Sequence, residues 1–169
     1  MTELVFKNIG RFLFLVFLQI LILNNIQLGG YINPYLYIYF ILLLPWETPR
    51  WLLLLSSFLI GITIDMFTNT PGLNAASSVM MASFRPLIIR SLSTGTEFLI
   101  GENPSLKNQG MKWFFNYSLL LVLIHHTVLF FLETFRISEF LMTSLRMILS
   151  VVFTMILIFG AEYLFYSKK

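Results

Sequence analysis

Apolar runs close to the length of a bilayer crossing recur along this chain, separated by polar turns. A helix needs roughly 17–25 residues to cross the hydrocarbon. Six segments reach or approach that length, with ends near residues 9–26, 31–44, 51–68, 74–92, 113–131 and 141–166. The second is short and aromatic, so it reads as a crossing with little tilt or with local thinning of the bilayer. Among 169 residues, 57% are hydrophobic and only 11% are charged. A water-soluble domain of this size cannot bury so much apolar surface. The sequence therefore predicts one all-α integral membrane domain over residues 1–169, a polytopic six-helix bundle. Lys7 and Arg11 precede the first run, but Leu23-Asn24-Asn25-Ile26 offers no small-residue cleavage site. The first helix is read as retained.

Positive charge orients the bundle, because cytoplasmic loops collect Lys and Arg. With the N-terminus inside, Lys7, Arg11, Arg50, Arg90, Lys107, Lys112, Lys168 and Lys169 all fall on the inner side. The turns Gln27–Gly30 and Asn69–Leu73 carry no basic residue, and Arg136 alone falls in the third outer loop. Both termini are predicted to be cytoplasmic. Trp46, Trp51 and Trp113 sit at predicted span ends, where amphipathic rings favour the interface. Pro45-Trp46-Glu47-Thr48-Pro49 is a rigid inner turn. The long inner loop Ser93–Met111 is the only sizeable polar surface, either a partner contact or a solvated loop. Nucleic-acid binding is not indicated, since no basic face is available. The chain has no cysteine, which excludes disulfides and thiolate chemistry.

The stretch Trp51–Leu92 carries the densest pattern. Ser57, Gly61 and Asp65 are spaced by four and form one small, polar stripe on a helix. Ala75, Ser78, Ala82 and Arg85 do the same on the next helix. The turn between them holds Pro71-Gly72. Two such stripes beside one tight turn predict a helical hairpin closed by small residues, the packing mode that works in lipid. Ser57, Gly61, Asp65, Gly72, Asn74 and Ala75 are the candidate helix-packing or partner-contact residues.

Ionisable groups at membrane depth require a partner or a role. Arg85 and Arg146 are the candidate intramembrane polar residues. Arg146 lies roughly 7 Å in from Leu141, at ~1.5 Å per residue. Two arrangements stand open for Asp65 and Arg146: a buried pair, or an Asp65 cap with Arg146 snorkelling outward. Arg85 precedes Pro86, which should kink its helix and free the carbonyl of Ala82. The arginine either satisfies that carbonyl or, as favoured here, reaches the inner headgroups beside Arg90. Glu162 pairs with Arg90 or faces water. Thr143, Met147, Ser150, Thr154 and Ala161, with Gly160 beside them, form a packing seam.

No reacting constellation emerges. His125 and His126 are adjacent, so they point about 100° apart on a helix, which suits packing better than a metal site. No HExxH, nucleophile elbow or phosphate-cradling glycine loop is present. The expectation is a non-enzyme with no metal and no cofactor.

Leu44-Pro45, Gly61-x-x-x-Asp65 and Pro71-Gly72-Leu73-Asn74-Ala75, followed by an apolar helix ending near Arg90, resemble the rod shape-determining membrane protein family MreD. Asn33-Pro34 at the start of the second segment is similar too. The resemblance implies a component of the bacterial cell-elongation complex in the cell membrane. It implies a non-catalytic scaffold that regulates cell shape and lateral peptidoglycan synthesis through MreC. RodA with its class B penicillin-binding protein, and the filament protein MreB, are the further implied partners. The family is also similar in fold to the substrate-binding subunits of energy-coupling-factor vitamin transporters. The alternative expectation is therefore a small-molecule transporter subunit with an outer polar pocket lined by Asp65, Asn69 and Arg146.

Overall fold

The computed structural model describes residues 2–26, 33–92, 103–134 and 140–166. The expectations for Gln27–Gly30, Arg136, Lys168, Lys169 and most of the Ser93–Met111 loop lie outside the described residues. The described chain is all-helical. Its long elements are α1 (Thr2–Leu21), α3 (Arg50–Thr68), α4 (Leu73–Leu92), α6 (Met111–Thr134) and α7 (Phe140–Tyr166). Two single turns, α2 (Tyr39–Leu42) and α5 (Leu106–Gln109), complete the α-helices.

Four of the long helices, α1, α3, α6 and α7, are long and apolar enough to cross a membrane. The fifth, α4, is 20 residues long. Serines, Asn74, Arg85 and Arg90 dilute its apolar character. Those polar groups do not face outward at random: Asn74, Ser77, Ser78 and Arg85 are buried, while Met80, Phe84 and Leu87 are exposed. Polar groups turned inward and apolar ones outward are what lipid as solvent selects.

The helices pack in sequence, α3 on α4, α4 on α6 and α6 on α7, with α1 against α3. The predicted second helix, 31–44, is the main departure. Asn33 to Tyr35 are extended, Leu36–Ile38 form a 3₁₀ turn, and α2 adds a single α turn. Pro34 accounts for much of this, because a residue before proline is pushed away from the helical region and proline donates no hydrogen bond. Residues Tyr37 to Leu42 are buried on every side, at 0–4% exposure. The segment touches α1, α3 and α7, so it fills the inside of the arc of long helices.

The α3–α4 hairpin follows from its two stripes. Ser57, Gly61 and Asp65 are buried, as are Ala75, Ser78, Ala82 and Arg85. At Gly61 the two backbones touch. A Cβ there would lie 2.5 Å from Ala75 Cα and 2.6 Å from Asn74 O. Asn69 closes α3 in the left-handed region (φ 54°), and Gly72 adopts φ 84° before α4 begins. Ser57, Gly61, Asn74 and Ala75 thus pack the chain's own hairpin.

Gly61→Ala forces Cβ against backbone atoms, and overpacking of this kind typically costs about 1–3 kcal/mol. We expect a lower melting temperature for the detergent-purified variant. Gly160→Ala, where nothing lies within 4 Å, is the control and should melt as the parent does.

Candidate functional site

The short inner segment has backbone groups that no helix ladder satisfies. Such backbone is tolerated at membrane depth only where protein groups or enclosed water replace the ladder. Side chains from four surrounding helices do so here. Gln19 of α1, 1% exposed, is central. Its Oε1 accepts from the backbone N–H of Leu36 (2.8 Å) and Tyr37 (3.3 Å), and its Nε2 donates to Pro34 O (2.9 Å) and Asn24 Oδ1 (2.8 Å). From α7, Ser150 Oγ accepts from Asn33 N (3.2 Å) and Thr154 Oγ1 from Tyr35 N (3.1 Å). These are residues of the predicted α7 seam, and what the seam packs is a strand of backbone.

At the other end of the segment, the C-terminal carbonyls of α2 are caught. Tyr117 of α6 donates its hydroxyl proton to Leu42 O (3.0 Å), and Arg11 of α1 donates to Leu43 O (3.2 Å). Arg85 of α4 donates through NH2 to Leu44 O and through Nε to the Tyr117 hydroxyl (2.8 Å). Arg85 is 2% exposed, so the headgroup placement is corrected: it is a core residue. It satisfies the carbonyl of Leu44, where Pro45 ends the helix, and not that of Ala82. Trp113 stacks on Tyr117 (centroids 4.8 Å) and meets Trp46 edge-on (5.4 Å), so two span-end tryptophans close this end. Glu162 is also internal. Its carboxylate accepts from the Tyr39 hydroxyl (2.8 Å) and Leu106 N (3.3 Å), which replaces the expected choice between Arg90 and water.

Asp65 staples the α3–α4 turn. Oδ1 accepts from Asn74 N (3.0 Å), Asn74 Nδ2 (2.9 Å) and Thr70 Oγ1 (2.8 Å), and Oδ2 accepts from Ala75 N (2.9 Å). A carboxylate on the first free N–H groups of a helix also complements its dipole. Of the two arrangements left open for Asp65, the cap is the one that forms. Arg146 is not its partner. The guanidinium carbon lies 5.8 Å over the Phe130 ring, and the residue is half-buried.

The histidines enter through this scaffold, and their tautomers follow from it. Asn74 Nδ2 is committed to Asp65, so its Oδ1 faces the Tyr37 hydroxyl and accepts its proton (3.1 Å). The Tyr37 oxygen then accepts from Ser78 (3.3 Å) and from His125 Nε2–H (2.7 Å). His125 is therefore protonated at Nε2. Its Nδ1 is a buried acceptor with no partner among the described residues. His126 is the other tautomer. Nδ1–H donates to Val122 O (2.9 Å), so Nε2 accepts from the Thr154 hydroxyl (3.2 Å), whose oxygen already takes Tyr35 N–H. No group of three or more His, Cys, Asp or Glu able to hold a metal ion occurs among the described residues.

A cavity of about 370 Å³ lies at the end of the bundle carrying the Asn69–Gly72 turn. Asn24, Asn25, Asn33, Tyr35, Thr68, Thr70, Asn74 and Glu133 supply its polar wall. Asn74 thus belongs both to the cavity wall and to the Asp65–Tyr37 network. Asp65, Asn69 and Arg146 are not among the lining residues, so the pocket expected from those three is differently built. Gln19, Tyr37, Tyr117 and Glu133 were not anticipated from the sequence. Gln19, the one amide between Ile9 and Leu23, is the available signal.

Comparison of the chain with protein-family models, with curated proteins and with solved structures finds no match.

Gln19→Met keeps the side chain's length and removes all four hydrogen bonds. Each buried backbone group left unsatisfied costs about 1–3 kcal/mol. The variant should melt well below the parent in detergent, and hydrogen exchange at Leu36 and Tyr37 should rise in particular. Asp65→Ala should cost about 1–2 kcal/mol through the lost cap, with Asp65→Asn between it and the parent on the same melting assay.

Proposed function

We propose that the chain is a non-catalytic membrane scaffold of the MreD kind, crossing the cell membrane six times with both termini in the cytoplasm. The observation that carries the non-catalytic part is where the interior carboxylates are used. Asp65 holds the start of α4, and Glu162 holds Tyr39 and α5. Asp65 accepts from two backbone N–H groups, the Asn74 amide and the Thr70 hydroxyl, and Glu162 from the Tyr39 hydroxyl and Leu106 N, so in this reading both carboxylates serve as structural acceptors that tie elements together.

Six crossings are supported by which residues meet at each end. The ends of α1 and α3, the start of α4 and Asn33–Tyr35 come together around the cavity. Arg11, Leu43, Leu44, Arg85 and Tyr117 meet at the other end. Consecutive segments therefore run in alternate directions. The basic residues gather on the second end, which the positive-inside rule places in the cytoplasm.

The partners implied by the sequence resemblance are MreC, RodA with its class B penicillin-binding protein, and MreB. The contact surface in this reading is the apolar exterior, since Gly61 and its neighbours are occupied within the hairpin. A second reading, a substrate-binding subunit of a vitamin-type transporter, is favoured by the polar cavity. One pull-down from detergent, read by mass spectrometry, separates the two. Recovery of MreC and of RodA with its transpeptidase is expected; recovery of ATPase and coupling subunits in their place overturns the scaffold.

The chain's lack of cysteine allows topology to be mapped by single substitutions. Pro71→Cys in the exposed α3–α4 turn should react with a membrane-impermeant maleimide on intact cells. Glu47→Cys should react only after lysis. The reverse pattern overturns the orientation.

A further inference from the structure

We infer that the cavity beside the Asn69–Gly72 turn is a binding site for a small hydrogen-bonding organic cation, a primary amine of about the size of an amino sugar. Its volume, about 370 Å³, is within the range of small-molecule sites. The chemistry of the wall selects the ligand. Asn74 and Thr70 line it, but their polar atoms are committed to Asp65, Tyr37 and each other. What remains open among the described residues is one carboxylate with neutral acceptors and donors around it: Asn33 gives its amide to the Tyr35 oxygen, which leaves Asn33 Oδ1 as an acceptor and the Tyr35 hydroxyl proton as a donor. The Glu133 carboxylate makes no hydrogen bond to another described residue. Asn25 gives its Nδ2 to Leu21 O (2.9 Å), which leaves Oδ1 free. Asn24 offers the two N–H donors of its Nδ2, which has no described partner, while its Oδ1 takes Gln19.

A wall with one carboxylate, the amide oxygens of Asn25 and Asn33, the Asn24 amide N–H groups and the Tyr35 hydroxyl suits a protonated amine that also carries hydroxyl groups. Charge-assisted bonds of an ammonium to a carboxylate are stronger than neutral ones. Among the described residues, Arg146 is the cation near this end, and Asp65 is taken up by the α4 cap. Arg146 is not a lining residue, and its guanidinium lies over Phe130. An anionic ligand of the same size therefore meets Glu133 with no cation among the described lining residues to offset it. Tyr35 forms part of the floor and packs on both histidine rings, at 6.0 Å and 5.4 Å. A bound amine thus sits one aromatic layer, the Tyr35 ring, from the two histidines.

The inference stands apart from the scaffold reading, since a scaffold that fails to recover its partners can still bind an amine here. The test uses the full chain in detergent and three probes with one ring and different charge: glucosamine, glucose and glucuronate. Saturable thermal stabilisation by glucosamine, well beyond that by glucose and absent with glucuronate, is expected. Glu133→Gln should weaken the glucosamine effect about tenfold, the loss of one charge-assisted hydrogen bond. Glu133→Asp should retain most of it. Glu133 is exposed, so both variants should melt as the parent does without ligand, and a melting scan checks this. No stabilisation by glucosamine, equal stabilisation by all three probes, or a glucosamine effect unchanged in Glu133→Gln overturns the proposal.

Discussion

The demand for backbone hydrogen bonds inside the bundle governs the rest of this structure. A segment that starts with Asn33-Pro34 and ends at Pro45 cannot form a full helix across the bundle, yet Tyr37 to Leu42 lie at its centre. Each stranded N–H or C=O must find a partner in a surrounding helix, because lipid supplies none. This explains why polar side chains of α1, α4, α6 and α7 point at one place. Gln19, Arg85, Tyr117, Ser150 and Thr154 all bond to the backbone of this segment. Removing any one leaves buried groups open. The polar side chains that answer this segment are therefore buried: Gln19, Arg85, Tyr117, Ser150 and Thr154.

The α3–α4 hairpin solves a different problem with small residues and one acid. Association of helices in lipid depends on close packing, since burying apolar surface gains little there. Gly61 permits contact between the backbones, and Asp65 fixes the register by taking the N–H groups of Asn74 and Ala75. Asn74 links this staple to Tyr37 and so to the inner segment. The hairpin and the inner segment are one hydrogen-bonded unit, with Tyr37 as the joint.

How much of this was legible depends on whether the signal was periodic. Ser57, Gly61 and Asp65, and Ala75, Ser78, Ala82 and Arg85, repeat at helical spacing, so the two buried faces and the hairpin could be read directly. Helix ends agreed closely for α3 and α4, where Pro49, Asn69 and Gly72 punctuate the chain. Gln19 gave no periodic signal. Its role depends on the N–H groups of Leu36 and Tyr37 opening a 3₁₀ turn with no α-helix before it, which in turn depends on tertiary packing around Asn33-Pro34. Arg85 was placed at the headgroups because Arg90, five residues on, suggested a basic helix end. Its burial is set by Leu44 O and Tyr117, distant in sequence, and spacing cannot report them. Glu162 was misplaced for the same reason, since Tyr39 and Leu106 come from two other elements.

The histidines show how far such a network determines chemistry. Asp65 fixes the orientation of the Asn74 amide, that amide takes the Tyr37 proton, and Tyr37 then requires Nε2–H on His125. The consequence is a bare Nδ1 on His125 in a fully buried position. His126, its neighbour in sequence, is driven to the opposite tautomer by Val122 O and Thr154. Two adjacent imidazoles are thus held in different states by bonds that begin at a helix cap and at a strand of unladdered backbone. An acceptor left without a partner inside a bundle is stable only if the rest of the network holds it there, as strain at one point is offset by consistency elsewhere. The wall of the cavity includes Asn74, which reaches His125 through Tyr37, and Tyr35, which packs on both imidazole rings. An occupant of the cavity therefore meets Asn74, the group that sets the His125 tautomer through Tyr37, whereas Val122 and Thr154, which set that of His126, lie behind Tyr35 and outside the lining.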